Sequence, residues 1–79
     1  MSDVLTKLQI LDAKGLSCPL PVLRARKRLR KLDSGMLLEI YATDPAAPSD
    51  FRAFCRETGN VLISIRMTDG EYAIRVQKR

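Results

Sequence analysis

The stretch Ser17-Cys18-Pro19-Leu20-Pro21-Val22 decides how this chain folds, because it fixes where a loop ends and a helix begins. Proline lacks a backbone N–H and is tolerated in a helix only within the first turn. Pro19 and Pro21 therefore place a helix start at this point and leave Cys18 beside the helix N-terminus.

Working outward toward the C-terminus, apolar residues recur at helical spacing and predict a helix over residues 19–32. Its predicted buried stripe consists of Val22, Ala25, Leu29 and Leu32, flanked by Leu20 and Leu23. Basic side chains fill the other positions: Arg24, Arg26, Lys27, Arg28, Arg30 and Lys31. Residues 33–35 end the helix.

On the N-terminal side, residues 7–11 alternate polar and apolar side chains and predict a short, half-buried strand with Lys7 and Gln9 toward solvent. Residues 12–17 then predict a loop, in which Gly15 adopts a backbone conformation that other residues resist.

The rest of the chain predicts a strand, a helix and a hairpin. Residues 36–42 predict a strand with Glu39 and Tyr41 on its solvent face. After a turn-rich connection at 43–48, Ser49 or Asp50 is expected to cap a second helix that Gly59 closes. The apolar stripe of that helix is Phe51, Phe54 and Cys55.

Two final strands are predicted on either side of Asp69-Gly70, a strong hairpin signal. In the first, over residues 61–67, Ser64 and Arg66 are expected to face solvent. The apolar residues alternating with them are Val61, Ile63, Ile65 and Met67. In the second, Arg75 is expected to face solvent, and the alternating residues are Tyr72, Ile74 and Val76.

The predicted order is therefore β-α-β-α-β-β. Right-handed β-α-β crossovers place both helices on the same face of the sheet. The fold class is an α/β (α+β) two-layer sandwich with a mixed four-stranded sheet, and residues 1–79 are expected to form one domain.

Composition narrows the possible functions. The 79 residues are 46% hydrophobic, as in soluble globular chains, and contain no apolar run of the ~18 residues that a membrane span needs. The N-terminus lacks a signal-peptide pattern, so we expect a cytoplasmic protein. A formal charge of +5 favours acidic protein partners or nucleic acid.

Cys18 is the candidate functional residue. The chain has no histidine, which excludes Cys–His nucleophile pairs and His-based zinc sites, and no metal or cofactor is predicted. A free cysteine is most often a small buried hydrophobe. However, a helix N-terminus and nearby basic residues stabilise a thiolate, so an exposed Cys18 with a lowered pKa is expected.

Three further features have a structural and a functional interpretation. Cys55 lies on an apolar stripe and is expected to pack in the core, although a disulfide with Cys18 is the alternative. The basic run from Arg24 to Lys31 is either a solvated helix face or a docking face for an acidic partner. Asp12 and Asp44 are either turn residues or residues that order the loops near the thiol.

Residues 11–21, with their Gly15-Leu16 followed by Cys18-Pro19-Leu20-Pro21, resemble the signature of the TusA (SirA-like) sulfur carriers. The resemblance continues through Thr43-Asp44-Pro45-Ala46, Phe54-Cys55 and Thr68-Asp69-Gly70, from about residue 11 to residue 78. The chain departs from the family pattern at Leu20, where an acidic residue is frequent, and at Asn60, where histidine is frequent.

The resemblance implies a persulfide carrier that acts with partner enzymes rather than as a stand-alone catalyst. Cys18 would accept sulfane sulfur from a cysteine desulfurase or a rhodanese and pass it to an acceptor protein. In the family, acceptors lead to 2-thiouridine in tRNA, molybdenum cofactor synthesis or sulfur oxidation. Neither nucleic acid nor membrane is an expected partner, and a monomer is expected.

Site residues follow from the same resemblance and the basic helix. Cys18 is the reacting residue, and the residues expected to support it are Asp12, Gly15, Pro19 and Pro21. The residues expected to dock a partner are Arg24, Arg26, Lys27 and Arg28.

Two alternatives remain from the sequence. A basic RNA-binding module could use the open sheet face and the basic helix, although Tyr41 is the only aromatic residue expected on that face. The other alternative is a regulatory partner protein in which Cys18 has only a structural role.

Overall fold

In the computed structural model, which describes residues 8–79, the chain forms six elements in the predicted β-α-β-α-β-β order. They are β1 Leu8–Asp12, α1 Leu20–Leu29, β2 Leu37–Ala42, α2 Ala47–Thr58, β3 Val61–Thr68 and β4 Glu71–Gln77. Across these described residues, no helix is both long and apolar enough to cross a membrane.

The four strands form one mixed sheet in the order β1-β2-β4-β3. β1 and β2 are parallel, whereas β4 is antiparallel to both β2 and β3. Both helices cover the same face, and the core between the layers includes the fully buried side chains of Leu38, Ile40, Phe51, Ile74 and Val76. The predicted fold class is confirmed.

The two faces of β1 are the reverse of the prediction. Gln9 pairs with Leu38 and Ile10 pairs with Glu39. Because directly paired residues share a face, Gln9 lies on the helix side, and Ile10 is on the open side with 54% of its surface exposed. Lys7, the other predicted solvent-facing residue, lies outside the described residues.

The predicted alternation in β3 is wrong before a bulge in the strand and correct just after it. Leu62 pairs with Val76, but the next pair along is Ser64 with Arg75, which leaves Ile63 as the extra residue. A bulge shifts the side-chain phase by one residue. As a result, Leu62 packs against the core, whereas Val61 and Ile63 are 48% and 47% exposed. After the bulge, Ile65 packs against the core as predicted, and Met67, near the end of the strand, is 64% exposed.

Helix α1 is shorter than predicted, but its buried stripe agrees with the prediction. The helix ends at Leu29, and Leu32 stays buried in the turn that follows. Val22 is partly buried against the core, and Pro21, in the first turn, is buried as well. The two predicted flanking residues, Leu20 and Leu23, are instead 43% and 51% exposed.

Helix α2 starts earlier than Ser49 or Asp50. Its N-cap is Ala46, and Pro48 occupies the first turn, as prolines do at helix starts. Gly59 closes the helix with a left-handed φ of 82°, as predicted. The hairpin between β3 and β4 turns at Asp69 and Gly70, both of which have positive φ values of 52° and 78°.

Candidate functional site: the Cys18 loop

The loop that contains Cys18 lies at the edge of the sheet where the parallel strands β1 and β2 end. It connects β1 to α1, and the segment that leaves β2 toward α2 lies beside it. Cys18 is exposed, as predicted, and its peptide bond to Pro19 is cis. The Leu20 N–H donates to the Ser17 carbonyl at 2.8 Å and closes a turn around the cysteine.

Asp44 holds the Cys18 loop against the start of α2. One carboxylate oxygen accepts the N–H of Cys18 at 2.6 Å, and the other accepts the N–H of Ala46 at 2.8 Å. The hydrogen bonds from Ala46 and Cys18 hold the pKa of Asp44 below its ordinary value. Of its two interpretations, the one in which Asp44 orders the loop near the thiol is confirmed.

The carboxylate of Asp50, in the first turn of α2, has the largest influence on the protonation of the Cys18 thiol. The interaction with Asp50 raises the pKa of Cys18, and desolvation and the negative charges of Asp50 and Asp44 raise it further. The expected lowering is therefore wrong for the isolated chain. The reason is that the negative charges of Asp50 and Asp44 outweigh any stabilisation of the thiolate by helical N–H groups.

Of the supporting residues named from the sequence, Pro19 follows the cysteine directly, Pro21 lies in the first turn of α1, and Asp12 and Gly15 precede the cysteine. Asp12 accepts the Lys14 N–H at 3.0 Å, so Asp12 is a local turn residue. Gly15 has a φ of 81°, and its N–H donates to the Thr43 hydroxyl at 3.0 Å. Thr43 thus provides a second link, besides Asp44, between the two loops.

The four predicted docking residues divide into two pairs. Arg24 and Lys27 are exposed on α1. Arg26 instead lies over the ring of Phe54, with its guanidinium carbon 5.1 Å from the ring centroid. Arg28 donates to the carbonyl of Ile10 at 3.3 Å. Both of these arginines are partly buried and have intramolecular contacts that a partner would have to compete with.

The second cysteine lies away from this surface. Cys55 is buried with 6% of its surface exposed, and it belongs to the core cluster under the helices. Both cysteines are free thiols. Burial raises the pKa of Cys55. Core packing, the expected role of Cys55, is confirmed.

The open face of the sheet has a charged centre that differs from the prediction. Glu39, expected in solvent, is 5% exposed because Arg75 and Tyr41 donate to its carboxylate at 2.8 Å and 2.7 Å. Burial would raise the pKa of Glu39, but the hydrogen bonds from Tyr41 and Arg75 and the charges of Arg75 and Arg66 hold it below its ordinary value. With Tyr41 bonded to a carboxylate, this face does not resemble an RNA stacking platform.

Comparison with known proteins gives one consistent result. The sequence profile of the family described as "Sulfurtransferase TusA" matches residues 9–78. The chain is 46% identical to the sulfur carrier protein TusA of Allochromatium vinosum over 70 residues, which is 89% of this chain and 92% of that protein. It is 39% identical to the sulfur carrier protein TusA of Pseudomonas putida, again over 70 residues, with 89% and 88% covered.

A solved structure supports the fold independently. The SirA-like protein from Desulfitobacterium hafniense superposes with a TM-score of 0.78 over 87% of this chain and 95% of that one. The sequence identity is 21%, so this similarity concerns the fold alone.

Proposed function

This chain belongs to the TusA sulfurtransferase family, and we propose that it is a sulfur carrier that accepts sulfane sulfur as a persulfide on Cys18 and relays it to an acceptor protein. The observation behind the proposal is an exposed thiol on a loop whose backbone Asp44 fixes through the 2.6 Å bond to the Cys18 N–H. A carrier needs this combination, because its sulfur must be reachable and its position reproducible.

The transfer needs no oxidant. The Cys18 sulfur attacks the outer sulfur of a donor persulfide, a new S–S bond forms, and the donor's S–S bond breaks with its electron pair leaving on the donor thiolate. The Cys18 proton is lost to water, and the donor thiolate takes up a proton. In the second transfer an acceptor thiolate attacks the terminal sulfur of the Cys18 persulfide, and Cys18 leaves and is reprotonated.

The carboxylates around Cys18 favour its protonated form in the isolated chain. Since the thiolate is the nucleophile, this arrangement keeps the unloaded carrier poorly reactive toward solutes. The same carboxylates also favour the protonated form of the Cys18 thiol that is left after the sulfur has been transferred to the acceptor. A partner that places a cation or a hydrogen-bond donor beside Asp50 would remove this effect during docking.

The proposed donor is a cysteine desulfurase or a rhodanese, and the proposed acceptor belongs to tRNA 2-thiouridine formation, molybdenum cofactor synthesis or sulfur oxidation. We also propose that the relay works in the cytoplasm. Both cysteines are free, as thiols usually are in a reducing compartment. The exposed side chains of Arg24 and Lys27 are the proposed cationic docking contacts.

Intact mass spectrometry tests the proposal with wild type, Cys18→Ser and Cys55→Ser. Each is incubated in turn with a cysteine desulfurase and cysteine, and with a rhodanese and thiosulfate. We expect an added mass of one sulfur atom, about 32 Da, on wild type and Cys55→Ser but not on Cys18→Ser. No adduct from either donor, or an adduct that persists on Cys18→Ser, would contradict the proposal.

A further inference from the structure

The side of α1 that points away from the sheet has an unusual distribution of side chains along its length. The surface that we call the outer face consists of α1 residues that point outward and of two residues in the turn that follows. All of them are exposed: Leu20, Leu23, Arg24 and Lys27 on the helix, and Arg30 and Lys31 in the turn. The opposite side of the helix supplies the buried residues Pro21, Ala25 and Leu29. The outer face is thus accessible to a partner.

Apolar and basic side chains are separated on the outer face. Leu20 and Leu23, three residues apart, are neighbours at the end next to Cys18, and they are 43% and 51% exposed. Lys27 lies toward the other end of the helix, and Lys31 lies in the turn that follows it. The spacing from Leu20 to Lys27 is seven residues, which is about 10 Å along a helix axis. No acidic residue is present in α1.

The position of Leu20 means that a sulfur-exchanging partner has to cover it. An S–S bond is about 2 Å long, so a partner's sulfur must come into contact with the Cys18 sulfur. The Leu20 N–H closes the turn that contains Cys18 by bonding to Ser17. A protein surface that reaches the sulfur therefore also meets the first turn of α1.

The other exposed large apolar residues do not share this position. Val61, Ile63 and Met67 lie on β3, and Ile10 lies on β1, so they occupy the two edge strands of the sheet. Helix α2 also differs from α1, because its exposed surface mixes Arg52 and Arg56 with Glu57. Of the two helices, α1 is the one that combines exposed apolar residues at the thiol with basic residues further along.

We propose that the outer face of α1 is a two-part docking surface for the protein that exchanges sulfur with Cys18. Leu20 and Leu23 enter an apolar recess beside the partner's reactive sulfur, and Lys27 and Lys31 meet acidic side chains about two helical turns away. The inference rests on the proposed carrier function and deepens it. The leucines provide the short-range contact, and the cations provide charge complementarity and faster association.

Rates of sulfur loading on Cys18 test the leucine part. The double variant Leu20→Ser/Leu23→Ser is compared with Val61→Ser/Ile63→Ser, whose parent residues are similarly exposed, at 48% and 47%, but lie on β3. Loading is followed by intact mass, using a cysteine desulfurase with cysteine, a rhodanese with thiosulfate, and glutathione persulfide as a small-molecule donor. Circular dichroism confirms that each variant is folded.

We expect Leu20→Ser/Leu23→Ser to load at least about tenfold more slowly from the protein donor that loads wild type. The β3 control should load at the wild-type rate. With glutathione persulfide, all three should load equally, because a small donor needs no docking surface.

The cationic part is tested with Lys27→Glu/Lys31→Glu against Arg52→Glu/Arg56→Glu, which changes the net charge equally on α2. At low salt the α1 variant should load about tenfold more slowly than its control from the protein donor, and the difference should shrink as salt is raised.

Several outcomes would overturn the docking inference. They are equal loading of outer-face and control variants from the protein donor, equal slowing with glutathione persulfide, or loading of wild type by glutathione persulfide alone. The carrier proposal itself fails if wild-type Cys18 takes sulfur from none of the three donors. The docking inference then fails with it.

Discussion

The two thiols of this protein are held in the protonated form by different physical causes. Cys18 is exposed, and the main cause of its raised pKa is its interaction with the carboxylate of Asp50. Cys55 is buried in the core, and desolvation is what raises its pKa. The direction of the shift is the same, but its origin is not.

This difference decides which thiol a partner can activate. A carboxylate's effect on Cys18 is removed when a docked protein neutralises or engages the carboxylate, since that contact occurs at the surface. The desolvation of Cys55 ends only when the core opens, which requires the free energy of local or global unfolding. The chain therefore has one thiol that is available for regulated chemistry and one that is protected by folding.

The largest expected effect that follows is a contrast in alkylation. In the native protein, iodoacetamide should modify Cys18 at least about a hundredfold faster than Cys55, because Cys55 reacts only through open conformations. Peptide mapping of a time course measures both rates. In denaturing urea the two rates should become similar, which serves as the control. Comparable native rates would contradict the proposed division of the two thiols.

A smaller effect is expected on stability. Cys55→Ser introduces a hydroxyl at a position surrounded by core residues, so the free energy of unfolding should fall by about 1–2 kcal/mol. Urea denaturation with an unchanged m-value measures this loss. Cys18→Ser, the matched substitution on the surface, should unfold at the wild-type midpoint. Similar midpoints for the two variants would show that the Cys55 side chain does not contribute to packing as inferred.

How far the sequence predicted this site can be judged from its two carboxylates. The Cys-Pro-Leu-Pro stretch located the exposed thiol correctly, because proline restrictions are local and strong. The sequence predicts Asp44 as a residue that orders a loop near the thiol, but it predicts Asp50 only as a helix cap. Its contact with Cys18 depends on how α2 lies beside the β1–α1 loop, and no local pattern encodes that geometry.

The start of α2 had a usable signal in Pro48. The same first-turn preference that located α1 from Pro19 and Pro21 places Pro48 inside the first turn of α2, and hence Asp50 near the helix start. Had this been combined with the shared edge of the parallel strands β1 and β2, Asp50 could have been placed close to the thiol.

The errors in the sheet have another cause. In β3, residues 61–65 read Val-Leu-Ile-Ser-Ile, a run in which either alternation phase is compatible with burial. The bulge at Ile63 selects the phase through pairing with β4, so it is a tertiary effect. The sequence predicts a solvated Glu39 because the pattern of β2 alone does not show its partner. Glu39 is buried by Arg75, which approaches from the neighbouring strand.

The smallest expected effect tests the cause of the Cys18 shift directly. Asp50→Asn removes the negative charge while keeping a side chain of similar size, so the pKa of Cys18 should fall. The thiolate fraction at pH 7 then increases, and iodoacetamide should react with Cys18 several-fold faster than in wild type. Across a pH series, the rate profile of the variant should move to lower pH, because the group that raised the pKa is gone.

Asp33→Asn is the matched control, since Asp33 is an exposed carboxylate in the turn after α1, and its profile should coincide with wild type. An Asp50→Asn profile that also coincides with wild type would mean that Asp50 does not determine the protonation of the thiol. The raised pKa of Cys18 could then no longer be attributed to the negative charge of Asp50. A lower rate in Asp50→Asn at every pH would show instead that Asp50 acts on the position of Cys18. The release of the thiol by a docked partner would then require a movement of the loop that Asp44 holds, rather than neutralisation of a charge.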